Sequence, residues 1–289
     1  MQTSPPCFPC FLRQARDAAR GAGVDAATTD AILARVREAL EGFDVRESPP
    51  VMAQQIHRLV REFTGQADPY ADVKRRFNEH ALMLLPHLRE AVMHAADPFE
   101  AAAKLAIAGN QIDFGAHSGL TEADATDILS HAVEQTILGD AAALREAAQR
   151  ARRIVYLLDN AGEIVLDRML LEQLPVERVT AVVRGRPVLN DATLADAREV
   201  GLTDLVRVID NGSDAPATLV EDCSPAFRGA FDAADLIIAK GQGNYESLAH
   251  RADRPISFLL IPKCPLVADH IGCPVGRFVL RPAAKETFV

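Results

Sequence analysis

Tyr156-Leu157-Leu158-Asp159-Asn160-Ala161-Gly162-Glu163-Ile164-Val165-Leu166-Asp167 is the stretch on which the fold turns. An apolar run, Ile154 to Leu158, stops at Asp159-Asn160. A helical pattern follows, with Ile164, Val165, Met169 and Leu170 on one face. The segment reads as a strand that ends directly into a helix. In open α/β sheets, ligands bind just beyond the carboxyl ends of strands. Here that place holds a carboxylate, a carboxamide and a second carboxylate, all hard oxygen ligands suited to a divalent cation and, through it, a phosphate.

Outward from this segment, the texture differs on the two sides. Downstream, apolar runs of strand length recur at Val179–Val183, Leu205–Ile209, Leu236–Ala239, Phe258–Ile261 and Phe278–Leu280. Helical patterns lie between several of them. Such alternation predicts a parallel sheet with helices on both faces. Runs that are apolar at nearly every position predict strands buried on both sides. Upstream the period is helical. Ile32, Leu33, Val36 and Leu40 share a face, as do Ile56, Leu59, Val60 and Phe63, and Val73, Phe77 and Leu84 continue the pattern. Pro49-Pro50, Gly65 and Asp68-Pro69 separate these helices. Asp97-Pro98 reads as an N-cap followed by proline at the first helical position. The expected organisation is a helical N-terminal region, residues 1–148, and an α/β metal- and phosphate-binding domain, residues 149–289. The first is either a domain of its own or a wrap over one face of the sheet.

Composition narrows the function. With 289 residues, 48% of them hydrophobic, the chain can bury a substantial core. Its net charge of −9, with no dense Lys/Arg run, predicts no nucleic-acid partner. No apolar run approaches the roughly 18 residues of a membrane span. Met1-Gln2-Thr3-Ser4-Pro5-Pro6 lacks the basic and apolar regions of a secretory leader. Five cysteines do not suggest a disulfide framework, so a reducing cytoplasmic setting is expected.

Three strand ends carry polar residues of complementary kinds. Asp159-Asn160 follows the first. Arg184-Gly185-Arg186-Pro187 and then Asn190-Asp191 follow the second. Lys240-Gly241-Gln242-Gly243-Asn244-Tyr245-Glu246 follows another. In a parallel sheet these would converge on one edge. Asp159, the amide oxygen of Asn160, and Asp191 then offer three oxygens to one cation, such as magnesium, manganese, cobalt or nickel. Asn190 and Asp196 compete with Asp191 for the third place. Lys240 offers a compact positive charge to phosphate oxygens, and Gly241 and Gly243 let backbone N–H groups approach an anion. Each feature also has a plain structural explanation. Asp159-Asn160 can cap the next helix, Gly241-x-Gly243 can be a tight turn, and Arg184 and Arg186 can be surface charges. Gly109-Asn110-Gln111-Ile112-Asp113 is either a helix C-cap or a corner leaning over the sheet edge. Cys7-x-x-Cys10 is half of a metal site or a redox pair, which Cys264 and Cys273 would complete only if the fold brings them near.

Taken in order, Asp68-Pro69-Tyr70 with Lys74, Gly109-Asn110-Gln111-Ile112-Asp113, Asp159-Asn160-Ala161-Gly162-Glu163, Lys240-Gly241-Gln242-Gly243-Asn244-Tyr245-Glu246 and Lys263-Cys264-Pro265 resemble the damage-control phosphatase family, long catalogued as domain of unknown function eighty-nine. Cys7-x-x-Cys10 resembles its prokaryotic branch. The resemblance runs from Cys7 to about Arg277. It implies a helical region packed on a Rossmann-like three-layer α/β/α sandwich with a mainly parallel sheet. It further implies a divalent-metal-dependent phosphatase of small phosphorylated metabolites, sugar phosphates or damaged phospho-metabolites among them, with the metal on Asp159, Asn160 and Asp191. Asp159, Glu163 and Lys240 are then the expected catalytic residues. Asn110, Asp113, Arg184, Gly241, Gly243 and Asn244 are expected to bind substrate. The nucleophile is a metal-activated water or a carboxylate, and Glu163 is a general acid or base or else a first-turn glutamate that favours the helix dipole. Competing functions are an S-adenosylmethionine-dependent carboxyl methyltransferase and a non-catalytic metabolite binder.

Overall fold

A computed structural model gives the arrangement of residues 1–111, 126, 129, 131–251 and 253–281. Among the described residues, five full helices come first: α1 (Cys7–Gly21), α2 (Ala26–Glu41), α3 (Pro49–Thr64), α4 (Ala71–His94) and α5 (Pro98–Ala108). Asp97 caps α5 as its sequence suggests, its carboxylate accepting from the amides of Phe99 and Glu100. There follow β1 (Ile137–Leu138), α6 (Ala141–Arg150), β2 (Ile154–Leu157), α7 (Glu163–Leu171), β3 (Val179–Val183), α8 (Leu194–Glu199) and β4 (Arg207–Asp210). Then come α9 (Pro225–Asp232), β5 (Leu236–Lys240), α10 (Gly241–Leu248), β6 (Ile256–Leu260), α11 (Pro265–Ile271) and β7 (Phe278–Arg281).

The strands form one sheet in the order β1-β7-β6-β5-β2-β3-β4 among the described residues. All neighbouring pairs are parallel except β6 with β7. All six expected strands are present. β1, whose two residues leave no legible run, lies upstream of residue 148 and pairs with β7.

Strand chemistry explains the layers. β2, β5 and β6 are buried at every position, so both faces must be covered. Ile154, Tyr156 and Leu158 alternate into a core shared with α4, α5, α6 and α7. Val155 and Leu157 face the opposite core, with Phe227 and Phe231 of α9 and Leu248 of α10. Each fully buried Val, Leu or Ile here contributes roughly 1.5–3 kcal/mol. Helices from upstream of residue 148 thus complete the sandwich on one side. Helices α1 to α3 pack around a third cluster built on Phe11, Ile32, Met52 and Ile56.

Candidate active site at the switch point

From β2 the chain moves one way across the sheet through β3 and β4, while β5 lies on the other flank of β2. The crevice between β2 and β5 is the switch point at which doubly wound sheets bind ligands. Asp159 follows β2 there, and Gly241 follows β5. A Cβ on Gly241 would stand 1.9 Å from Asp159 Oδ2, and its φ is +77°. Only glycine lets the two strand ends come this close.

Backbone pairing joins the turn after β2 to the loop after β3. Asn160 and Asp191 form an isolated antiparallel bridge. The Ala161 amide donates to Asn190 O at 2.8 Å, and the Ala192 amide to Asp159 O at 2.8 Å. Asp159, Asn160 and Asp191 are thereby brought together. Asp196, the other nearby carboxylate, is committed to a different set of partners. Asp196 Oδ2 accepts from the Thr193 amide and hydroxyl at 2.8 and 2.6 Å and from Lys74 Nζ at 3.1 Å.

The side chains form a dense buried network. Asn110 Nδ2 donates to Asp159 Oδ2 at 2.8 Å and to Glu163 Oε2 at 3.2 Å. Asn160 Nδ2 donates to the same two oxygens, at 3.1 and 3.0 Å. Both amides therefore keep their oxygens for something else, and Asn110 Oδ1 has no hydrogen-bond partner among the described residues. Burial, then repulsion from Asp191 and Glu163, raises the Asp159 pKa well above the usual carboxylate range, against the pull of Arg184 and Lys263.

Several expected roles change on this geometry. Lys240 does not face a phosphate site. It is fully buried, and its ammonium donates to Glu163 Oε1 at 2.6 Å, Asp167 Oδ1 at 2.7 Å and Ala106 O at 2.8 Å. Three N–H groups thus meet three acceptors. Burial alone would lower its pKa, but Asp167 and Glu163 hold it above the ordinary value. Arg184 is no surface charge. It is 2% exposed and lies between the two carboxylates, Nε 2.6 Å from Asp191 Oδ2 and one terminal nitrogen 3.2 Å from Asp159 Oδ1. Asn244 is buried behind it. Its oxygen accepts from the Thr218 hydroxyl at 2.8 Å and its amide donates to Lys240 O at 2.8 Å, so it supports the wall rather than facing solvent. Gly243 accommodates the Pro216 carbonyl, 2.4 Å from where a Cβ would be. Asp113 lies outside the described residues.

Other members were not anticipated. Asp167 sits one helical turn past Glu163, its pKa pushed up to about 6 by burial, and accepts from the Tyr156 hydroxyl at 2.6 Å. A carboxylate amid Ile164, Val165, Leu166, Met169 and Leu170 was the available signal. Lys263 is exposed after β6, and its charge reaches Asp159.

The residues present fit a hard divalent cation. Four buried carboxylates (Asp159, Glu163, Asp167 and Asp191) face two buried cations, Lys240 and Arg184. The amide oxygens of Asn160 and Asn110 add neutral oxygen ligands of the right chemistry. The cysteines are different. Cys7, Cys10, Cys264 and Cys273 are free thiols, with Cys264 in electrostatic reach of Glu246 and Cys7. Among the described residues, no group of three His, Cys, Asp or Glu side chains is arranged to hold a metal. The switch-point set differs in using an amide beside two carboxylates.

Fold and site together define a doubly wound α/β protein with a carboxylate–amide centre at its switch point. The chain belongs to the damage-control phosphatase ARMT1-like domain family, whose model matches residues 3–279. It is 37% identical over 290 residues to a damage-control phosphatase from Archaeoglobus fulgidus, covering 97% of this chain and 99% of that one. It is 30% identical over 289 residues to a damage-control phosphatase from Pyrococcus horikoshii, covering 96% and 97%. The crystal structure of a DUF89 family protein from Pyrococcus horikoshii superposes with a TM-score of 0.89 at 29% identity, over 98% of this chain and all of that one. No described helix is long and apolar enough to cross a membrane.

Proposed function

We propose that this protein is a divalent-metal-dependent phosphatase of small phosphorylated metabolites. The observation that carries the reading is the Asn160–Asp191 bridge, which gathers Asp159, Asn160 and Asp191 at the switch point with an excess of buried negative charge. The relatives named damage-control phosphatases support the reaction class.

A divalent cation on Asp159, the Asn160 oxygen and Asp191 would supply Lewis-acid polarisation of a phosphoryl oxygen. The chain's own groups do the rest. Glu163, anchored by Lys240, takes one N–H from Asn160 and one from Asn110, which turns both amide oxygens free. Its role here is orientation. Arg184, held between Asp159 and Asp191, provides a guanidinium suited to phosphoryl oxygens at this edge. Lys263 attracts the anionic substrate at the rim. The first amides of α10 lack intrahelical acceptors and add donors beside Asp159. Both Asp159 oxygens already accept hydrogen bonds, which favours water over this carboxylate as the nucleophile.

The test is direct. Purified protein with added manganese should hydrolyse a generic phosphate ester, and chelator should abolish turnover. Asp159→Ala should remain folded by circular dichroism and lose at least about a hundredfold in kcat, the scale of a lost electrostatic stabiliser. Turnover that survives either treatment would sink the reading. A melting temperature raised by S-adenosylmethionine and not by metal would replace it with a methyltransferase.

A further inference from the structure

The Asp68-Pro69-Tyr70 segment with Lys74 plays no part in the site described so far. It opens α4, and one face of that helix reaches both turns that carry the proposed ligands. Lys74, Phe77 and Asn78 share this face at helical spacing. Asn78 is fully buried, and its oxygen accepts the Gly162 amide at 2.7 Å. Gly162 has φ +74° and closes the turn that begins at Asp159-Asn160. A Cβ there would come within 2.9 Å of Phe77 Cβ, so α4 presses directly on the turn.

The nitrogen of the same Asn78 side chain donates to Asp196 Oδ1 at 3.3 Å and Glu199 Oε2 at 2.8 Å. Lys74, 4% exposed, bridges Asp68 at 2.7 Å and Asp196 at 3.1 Å. Asp196 in turn closes the capping box on Thr193, two residues after Asp191. Thr193 also forms a parallel bridge with Arg184. One helix face therefore holds the Asp159–Gly162 turn by one hydrogen bond and the Asp191–Asp196 turn by two, with a further bond to Glu199 at the end of α8.

Apolar side chains would pack α4 onto the sandwich without desolvating an ammonium and a carboxamide. What the polar groups add is direction, because each bond fixes a particular backbone amide or carboxylate. We propose that Lys74 and Asn78 form a positioning clamp that sets the separation of Asp159–Asn160 from Asp191, and so sets affinity for the divalent cation. The inference rests on the metal site proposed above.

Direct Mn2+ binding, read from the electron paramagnetic resonance signal of the free ion, tests it without turnover. Asn78→Ala and Lys74→Met should each weaken Mn2+ binding by about 10–100-fold, the range for residues that orient metal ligands. Leu85→Ala, on the same helix but in the apolar core, should lower the melting temperature and leave Mn2+ affinity unchanged. Wild-type affinity in folded Asn78→Ala and Lys74→Met overturns the clamp alone. So does an equal loss in Leu85→Ala, since the effect would then follow stability. A wild-type protein that binds no Mn2+ overturns the metal site and the clamp with it. Should Asn78→Ala fail to fold, Lys74→Met decides by the same comparison.

Discussion

Lys240 spends its ammonium on Glu163, Asp167 and the Ala106 carbonyl, at 0% exposure. A lysine at a strand end beside Gly-x-Gly resembles a phosphate binder, and the two roles predict different variants. A phosphate-binding lysine changed to methionine raises KM and leaves stability alone. A buried ion-pair lysine so changed leaves two carboxylates in low dielectric without their countercharge. Removing one member of a buried pair costs about 3–5 kcal/mol. Lys240→Met should therefore lose about that much in guanidinium unfolding and weaken metal binding too, because Glu163 no longer holds Asn110 and Asn160. A variant of native stability with only a raised KM would return Lys240 to the substrate.

At the scale of elements, the strands and the ends that matter were legible, because fully apolar runs and polar turns are local patterns. That Asp159, Asn160 and Asp191 meet was legible because neighbouring parallel strands bring their carboxyl ends to one edge of the sheet. The state of each charge was not legible. Lys240 is met by the Ala106 carbonyl of α5 and Arg184 by the Asn244 carboxamide, and neither partner is near in sequence. Asn78 reaches Gly162 across 84 residues, with no periodic signal to announce it. The β5–α10 turn offers a test at this scale. Gly241→Ala puts a methyl group at +77° φ against Asp159 Oδ2, whereas Gly272→Ala, at +83°, meets nothing within 4 Å. Both should lose roughly 1–2 kcal/mol for the left-handed backbone. Only Gly241→Ala should also lose Mn2+ binding, measured by titration. Equal Mn2+ affinity in the two would mean that Asp159 is not locked against this turn.

Across the whole molecule, the cluster of α1 to α3 is tied to the site's outer loops by one helix. From α3, Gln54 donates to Asp214 at 2.7 Å and Arg58 at 2.9 Å, and Arg61 pairs with the same carboxylate. Arg61 also donates to Pro187 O at 2.9 Å. These bonds hold the loops after β3 and β4, the first of which carries Arg184 and Asp191. Buried in the same helix is His57, 3.2 Å from Gln14 Nε2. Burial, then the charge of Arg61, lowers its pKa from 6.5 to about 3, against Asp214. The sign follows from linkage. Below pH 6.5 the unfolded chain binds a proton that the folded chain refuses, so the neutral buried ring is a liability that grows as pH falls towards 3. Its slope is at most about 1.4 kcal/mol per pH unit. Asp214, whose pKa is held down by Arg58 and Gln54 against burial, adds loss in the same direction as it protonates. Hydrogen exchange between pH 6.5 and 4 should therefore open α1 to α3 before the β2–β5 core, and phosphatase activity should decline with that opening as the loop of Asp191 is released. His57→Gln should flatten this acid limb while leaving stability at pH 8 less affected. An unchanged limb in that variant would assign the acid sensitivity to the carboxylates alone.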